Sequence, residues 1–239
     1  MDADDSWLPG KLSRQLEHFE RSPSLEWVYS DCFVVDGRSR HVASTWSARN
    51  HLYSGHILEP LLFDCFVPSP TPVIRRKVFD EVGFYDESFL RHEPEDWDMW
   101  MRIAARYPVG VVQEPLARLR VHPSSLTARE DLWLTAEGAL AVVRRAFERN
   151  PGLSEELRVR VVSHWHRCLG SGLLRAGRTR EARELLSHAI EQGPLDPGSY
   201  IMWASTWLGD TVLRSLNRTV VNRVVRLKRS IPGLSSRGR

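Results

Sequence analysis

Residues 93–122 read EPEDWDMWMRIAARYPVGVVQEPLARLRVH, and this stretch decides how the chain is expected to fold. Its first part places Trp97, Met101 and Ala104 at helical spacing after a run of acidic residues, so it predicts a helix. Its second part is rich in Val and Leu and predicts two short strands, broken at Glu114-Pro115.

Acidic residues crowd the start of that helix. Four of six consecutive positions are acidic: Glu93, Glu95, Asp96 and Asp98. The helix dipole stabilises carboxylates at a helix start and accounts for one or two of them. A second interpretation is that one of these carboxylates faces an open pocket and acts as a general base that deprotonates a hydroxyl. The residues by themselves leave both interpretations open.

Two further features offer metal ligands. The N terminus reads MDADDSW, and Asp2 and Asp4 can both reach one divalent cation if the backbone bends at Ala3. Hard carboxylate oxygens suit Mg²⁺ or Mn²⁺, and either ion neutralises a diphosphate. His122 follows a predicted strand and precedes a proline that ends it. The alternatives are N-capping by the aspartates and a structural or exposed histidine.

Composition limits the class of protein. The 239 residues are 42% hydrophobic and 26% charged, which is typical of a globular chain with one large domain or two small ones. All but three of the 33 basic residues are arginine, which suits contacts with phosphate and carboxylate. The three cysteines form no C-x-x-C pair, so a reduced cytosol fits. No apolar run approaches the roughly 18 residues that span a bilayer, and the acidic start is unlike a signal peptide.

The residues before the quoted stretch predict a helix and a strand. Pro9 suits the first position of a helix that has Leu12, Leu16 and Phe19 on one face. WVYSDCFVVDG, residues 27–37, is rich in aromatic and β-branched residues and predicts a strand that reverses and returns as a second strand.

Taken in order, these segments resemble one family. DADDSWLPGKLSRQLEHF (residues 2–19), VYSD (residues 28–31) and the long segment over residues 74–127 are similar to the second half of a family 2 glycosyltransferase of the GT-A fold. The resemblance implies an α/β domain over residues 1–128 that forms the C-terminal half of a GT-A, Rossmann-like, domain. It also implies an inverting transferase that moves a sugar from a nucleotide diphosphate sugar to a hydroxyl of a glycan, a lipid-linked acceptor or a protein.

The same resemblance implies roles for individual residues. The family's D-x-D motif, which holds Mn²⁺ or Mg²⁺ and contacts the nucleotide sugar, falls on Asp2 and Asp4, with Asp5 beside them. The acid of its E-D motif, the catalytic base, falls on Asp96, with Glu95 beside it. His122 falls on a histidine that completes the metal and diphosphate site.

Three more side chains are candidates for substrate contacts. Trp97, next to the proposed base, is expected either to stack on the acceptor sugar or to belong to the core. Arg75 and Arg76 are expected either to bind the donor phosphates through their guanidinium groups or to be exposed at a helix start.

The rest of the chain has a helical pattern. Residues 129–209 resemble a tetratricopeptide-like region, with Gly170 and Ala182 where two helices pack closely. Residues 210–239 predict a basic amphipathic helix and a tail, and residues 210–231 are suited either to contact an anionic membrane near a lipid-linked acceptor or to pack on their own domain. The expected location is the cytoplasm or the inner face of the membrane, with no nucleic acid partner.

Members of the family carry a nucleotide-binding segment before the D-x-D motif, and this chain begins at that motif. The sequence is therefore expected to be a truncated gene product, a misplaced start or a fragment. The alternative function is a catalytically inactive remnant whose helical region acts as an interaction module. A metal-dependent nucleotidyltransferase also uses paired aspartates, but it does not explain the E-D helix followed by R-V-H.

Overall fold

The structure of the chain is a computed structural model that describes residues 2–43, 45–48, 50–89, 94–122, 132–193 and 196–207. Its contacts divide the chain into two compact units, residues 1–161 and residues 162–239, and each unit is described by itself. The boundary predicted at residue 128 stays a prediction.

The first unit is mixed α and β. Its described strands are β1 (Ser6–Trp7), β2 (Trp27–Val35), β3 (His41–Ala43), β4 (Val73–Ile74) and β5 (Val109–Arg120). Its described helices are α1 (Lys11–Arg21), α2 (Leu58–Phe63), α3 (Arg76–Val82), α4 (Glu95–Ala104), α5 (Leu132–Arg149) and the first part of α6 (Glu155–Arg175). The predicted helix over the acidic run is thus present as α4, and the predicted strand and its return are β2 and β3.

A parallel pair of strands forms the centre of the sheet. β2 and β5 pair from Trp27 opposite Val109 to Val35 opposite Arg120, so both strands end at the same edge. β1 is antiparallel to β5, while β3 and β4 are antiparallel to β2, in the order β1-β5-β2-β3. β3 pairs with the last residues of β2 and β4 with the first, so β3 and β4 mark opposite ends of the central pair.

The prediction of two strands broken at Pro115 is wrong. The segment is one strand, β5, and its pairing with β2 shifts register around Asp31, which lies opposite Pro115. The extra residues lie on β5 on either side of the proline, where Gln113, Glu114 and Leu116 have no partner on β2, so β5 bulges at Pro115 and continues beyond it.

The predicted buried face of α1 is also wrong in part. Phe19 is buried as expected, but Leu12 and Leu16 are 47% and 48% exposed, and Lys11 and Gln15 face inward instead. The polar groups of this face are satisfied within the fold. Lys11 Nζ donates to Gln15 Oε1 at 2.5 Å, and Gln15 Nε2 donates to the carbonyls of Val28 and Thr71 at 3.2 and 2.9 Å. Buried polar side chains are tolerated when they are hydrogen-bonded in this way.

The α4 helix is held in the core by aromatic packing and by a buried ion pair. Trp100 stacks on Trp27 of β2 with a centroid separation of 6.1 Å. Asp98, which is 1% exposed, accepts a hydrogen bond from Arg102 Nε at 2.9 Å and also contacts Arg149 of α5. These contacts fix the helix whose first turn carries the proposed base.

The described part of the second unit is helical. It contains the end of α6, then α7 (Thr179–Gln192) and α8 (Pro197–Ser205). A Cβ atom added at Gly170 would lie 2.8 Å from Cγ of Leu186 and 3.2 Å from the carbonyl oxygen of Ala182, so α6 and α7 pack closely at these positions. The tetratricopeptide-like assignment stays a prediction, and the basic helix predicted over residues 210–239 lies outside the described residues. Within the described residues, no helix is both long enough and apolar enough to cross a membrane.

Removing the carboxylate of Asp98 is expected to destabilise the first unit. Asp98→Ala leaves Arg102 without its charge partner in a mostly buried position, and such losses cost about 3 kcal/mol or more. The free energy of unfolding is measured in urea. Glu17→Ala, which breaks exposed pairs with Arg14 and Arg21, is the matched control and should cost less than about 1 kcal/mol. Equal effects of the two variants would contradict the role of Asp98.

Candidate active site

The N-terminal aspartates lie where the parallel strands end. Ser6 and Trp7 pair with Arg118 and Ala117 near the end of β5. The segment before them folds back in a turn, in which the Asp5 N–H donates to the Asp2 carbonyl at 3.3 Å. The D-x-D motif is therefore at the carboxyl edge of β2 and β5, the edge at which ligands bind in open α/β sheets.

Asp5 is buried and only partly satisfied. Its Oδ1 accepts a hydrogen bond from the backbone N–H of Arg120 at 2.8 Å, whereas its Oδ2 is buried and has no hydrogen-bond partner among the described residues. Burial raises the pKa of Asp5 to about 6, and the neighbouring carboxylates of Asp2 and Asp4 contribute in the same direction. A buried acceptor without a donor is costly, and it marks a position that a cation or a donor group would satisfy.

Asp4 and His122 are in direct contact. Nε2 of His122 lies 2.9 Å from Oδ2 of Asp4, and the structure thus brings together two ligands predicted from opposite ends of the domain. Neighbouring ligands of an octahedral ion at about 2.1 Å lie about 3 Å apart, so this pair fits two corners of a Mg²⁺ or Mn²⁺ site. As placed, no three His, Cys, Asp or Glu side chains of the described residues are grouped to hold a metal ion. The metal site therefore stays a prediction.

Asp96 lies in the first turn of α4, and the negative charge of Asp2 contributes to its raised pKa. Oδ1 of Asp96 accepts a hydrogen bond from the N–H of Trp97 at 2.7 Å. The pKa of Asp96 is raised to about 6, chiefly by burial and in part by the charges of Glu95 and Asp2. The D-x-D and E-D motifs, which are far apart in the sequence, are therefore close enough in space for their carboxylates to interact.

Tyr85 borders the same group of carboxylates and was not singled out from the sequence. Its ring is 43% exposed and packs edge-on against Trp100, with 6.4 Å between centroids. Trp100 follows Asp96 by one helical turn, so the Tyr85 ring lies beside the face of α4 that carries Asp96. Burial raises the pKa of the Tyr85 hydroxyl to about 12, with contributions from Asp96, Glu95 and Asp2. The hydroxyl therefore stays protonated at neutral pH and can donate a hydrogen bond. No sequence pattern distinguishes Tyr85 from its aromatic neighbours.

The structure favours the core interpretation of Trp97. Its side chain is 1% exposed, and its indole N–H donates to the carbonyl of Leu61 at 2.9 Å. The stacking role predicted for Trp97 therefore needs correction, because the ring has no open face on which a sugar can stack.

The predicted donor contacts of Arg75 and Arg76 also need correction. β4 leads directly into these arginines and pairs with the beginning of β2 at Trp27, while the aspartate motif lies beside the end of β2 at Val35. Eight residues of extended strand span about 25 Å, which is too far for one diphosphate to reach both places. Arg75 Nε instead donates to the carbonyl of Leu25 at 3.0 Å.

The first unit is a mixed α/β domain that gathers carboxylates at the carboxyl edge of its parallel strands, where open α/β sheets bind ligands. The family model described as "Glycosyltransferase like family 2" matches residues 1–151, more than half of the chain. The chain belongs to this family, which indicates glycosyl transfer. It is also 23% identical over 122 residues to an uncharacterized glycosyltransferase, MJ1057, of Methanocaldococcus jannaschii. That match covers 51% of this chain and 40% of the relative, so the chain spans less than half of the relative's length.

The raised pKa of Asp5 predicts how stability depends on pH. Asp5 binds a proton more tightly in the folded protein, with a pKa of about 6, than in the unfolded chain, with its ordinary value of 3.8. The stabilising contribution of the protonated group is therefore complete below the lower value and is lost as the pH rises through the higher one.

Asp5→Asn keeps an oxygen for the N–H of Arg120 and removes this titration. The variant should be more stable than the wild type at about pH 8, and the two should converge at about pH 4. Urea unfolding in the presence of a chelator measures both values. Asp80→Asn, at an exposed position of α3, is the control and should follow the wild type at both pH values. A pH-independent difference for Asp5→Asn would contradict the assignment.

Proposed function

We propose that the protein transfers a sugar from a nucleotide diphosphate sugar to an acceptor hydroxyl, with inversion at the anomeric carbon. The observation that carries the proposal is the 2.9 Å contact between Asp4 and His122 at the carboxyl edge of β2 and β5, beside the buried Asp5. It supports a donor site at this edge, and the contribution of the Asp2 charge to the raised pKa of Asp96 supports a base close to that site. The activity, the donor and the acceptor of the whole protein belong to the proposal.

Asp96 is the proposed general base. Inversion by one in-line attack needs one base for the acceptor proton and no covalent nucleophile. A base is most effective when its pKa is near the working pH, and burial moves the pKa of Asp96 to about 6. Glu95 is exposed beside it and raises the proton affinity of Asp96 through its own charge. In this arrangement Asp96 accepts the proton from the hydroxyl as the hydroxyl attacks.

Asp4 and His122, with Asp2 nearby, are the proposed ligands of Mn²⁺ or Mg²⁺. When bound, the ion supplies positive charge that stabilises the leaving diphosphate. In this proposal Asp4 and His122 hold the donor through the ion, because both lie at the strand edge. Asp5, next to Asp4 in the sequence, is buried. The unsatisfied Oδ2 of Asp5 and the contact between Asp4 and His122 support this donor site.

The acceptor is proposed to be a saccharide, whether free or lipid-linked, that contacts Tyr85 in place of Trp97. An exposed tyrosine ring offers an apolar face to a sugar ring, while Glu95 and Asp96 offer acceptors for hydroxyl groups. A peripheral membrane contact through residues 210–231, on the cytoplasmic side, is a further part of the proposal. It concerns residues outside the described part of the chain.

Asp96→Asn should separate chemistry from binding. The variant removes the proton acceptor but keeps the shape of the side chain, so turnover should fall by about 10²- to 10⁴-fold. The affinity for the nucleoside diphosphate should change by less than about threefold, because Asp96 does not contact the leaving group in this proposal. The measurement is the release of nucleoside diphosphate from a panel of sugar nucleotides, together with calorimetric titration of the nucleoside diphosphates.

Asp80→Asn is the control for the general effect of losing a carboxylate and should retain wild-type turnover. Wild-type turnover in Asp96→Asn would contradict the assignment of the base. Binding of a nucleoside diphosphate without release of product by the wild type would favour the alternative function, a catalytically inactive remnant.

Tyr85→Ala should weaken the binding of a saccharide and spare the donor. Loss of the ring should raise the dissociation constant of a methyl pyranoside about tenfold, while Tyr85→Phe should stay within about twofold because the ring face remains. NMR titration with methyl glucoside, galactoside and mannoside provides these values. Phe84→Ala, which removes the exposed neighbouring ring, is the control. Equal losses in Tyr85→Ala and Phe84→Ala would rule out a specific role for Tyr85.

A further inference from the structure

Arg120 joins two parts of the chain that meet beside the aspartate motif. It is the last residue of β5. Its Nε donates to the carbonyl of Asp4 at 2.9 Å, and its Nη1 donates to the carbonyl of Asp36 at 2.9 Å. Nη1 and Nη2 also donate to Oγ of Ser39 at 3.1 and 3.2 Å. One guanidinium group therefore connects the D-x-D motif to the turn between β2 and β3.

The motif side of this connection has few other restraints. β1, which follows the motif, has two residues, and Asp2 to Asp5 lie outside any strand. Arg120 contacts this segment twice, since its backbone N–H donates to Asp5 Oδ1 at 2.8 Å and its side chain donates to the Asp4 carbonyl. Arg120 thus binds both Asp4 and Asp5, and the two hydrogen bonds limit rotation about the peptide that joins them.

The turn between β2 and β3 is held by hydrogen bonds among its own residues. Oδ1 of Asp36 accepts hydrogen bonds from the N–H groups of Arg38 and Arg40 at 2.8 and 2.9 Å, which closes the turn locally. Oδ2 of Asp36 pairs with the Arg40 side chain at 2.7 Å. Ser39 lies in the left-handed region with φ of 60°, a conformation that places its Oγ at the Arg120 fork. The turn is therefore ordered by its own hydrogen bonds, independently of the aspartate motif.

We propose that Arg120 is a positioning residue that holds the Asp4 carboxylate at its place beside His122 by tying the Asp4 backbone to the Asp36–Ser39 turn. The inference rests on the proposed function and deepens its metal site. Ligands of a metal must be held to about 0.5 Å, and residues that orient ligands without touching the ion change metal affinity by about 10- to 100-fold.

The shape of arginine is required for this role. Its planar fork places Nε and both Nη atoms at fixed angles, so one side chain reaches three oxygens in different directions. Lysine keeps the positive charge but presents one ammonium group on a flexible stem, and it cannot reproduce that set of contacts. In the part of the chain that the structure describes, all of the side-chain partners of Arg120 are neutral oxygens, so charge pairing does not explain the arrangement.

The test is the affinity of the full 239-residue chain for Mn²⁺ alone, measured from the electron paramagnetic resonance signal of the free ion. Arg120→Lys should raise the dissociation constant about 10- to 100-fold. Arg118→Lys is the matched control, two residues earlier on β5, and its side chain makes no hydrogen bond or ion pair to a described residue. It should stay within about twofold. Asp4→Ala marks the loss of a ligand, and circular dichroism and thermal melting confirm folding.

Ser39→Gly provides a second variant that leaves β5 and the motif untouched. Glycine tolerates the φ of 60° at this position, so the variant removes two of the guanidinium contacts without backbone strain. It should raise the dissociation constant for Mn²⁺ by a smaller factor than Arg120→Lys, about threefold. If Arg120→Lys fails to fold, the result for Ser39→Gly decides the question.

Each result has a defined meaning. Wild-type Mn²⁺ affinity in folded Arg120→Lys or in Ser39→Gly, with a lower melting temperature only, would overturn the positioning role and leave a structural link. Absence of Mn²⁺ binding in the wild type would overturn the metal site and this inference with it. The base assignment would still be decided separately by turnover in Asp96→Asn.

Discussion

The parallel pairing of β2 with β5 is the constraint on which the site depends. The two strands run side by side until Val35 lies opposite Arg120, so everything attached to their ends is brought to one edge of the sheet. The aspartate motif reaches that edge through β1, the turn after β2 begins there, and His122 follows β5 by two residues. A shift of the β2–β5 register by one residue would move Arg120 away from the turn after β2, to which its side chain is hydrogen-bonded.

Among the described residues, the carboxylates of Asp5 and Asp96 form no ion pair with an arginine. Asp5 and Asp96 both have raised pKa values, because each is buried and each feels the charge of Asp2. Asp98 is more deeply buried, with 1% of its surface exposed, and it is paired with Arg102 and with Arg149. The contrast indicates that the protein pairs its structural carboxylate and leaves the site carboxylates open. Clusters with perturbed pKa values of this kind are typical of functional sites.

The elements that sequence patterns predicted well are those with strong local signals. The acidic first turn of α4 and the β-branched run of β2 gave the correct elements. The failures have long-range causes. Gln15 lies on the buried face of α1 because its amide donates to carbonyls of Val28 and Thr71, which are distant in the sequence, and Lys11 is hydrogen-bonded to Gln15. Pro115 does not end β5 because β5 itself bulges there and resumes its pairing with β2 at Ala117.

Only the residues of the candidate site that belong to sequence motifs could be predicted. The aspartates, Asp96 and His122 were identified from their spacing and from the family resemblance. Arg75 was misplaced, because the sequence does not reveal that β4 pairs with the far end of β2. Tyr85 and Arg120 were missed, because their roles depend on neighbours that are distant in the sequence.

The central claim is that the strand edge binds the diphosphate of a sugar nucleotide through a metal ion. Its most direct test is calorimetric titration of the full chain with UDP, GDP and dTDP, each in Mn²⁺ and in excess chelator. The account predicts that at least one nucleotide binds in Mn²⁺, that chelation weakens this binding by about 10-fold or more, and that His122→Ala does the same. Binding of equal affinity with and without metal, or no binding of any of the three nucleotides, would contradict it.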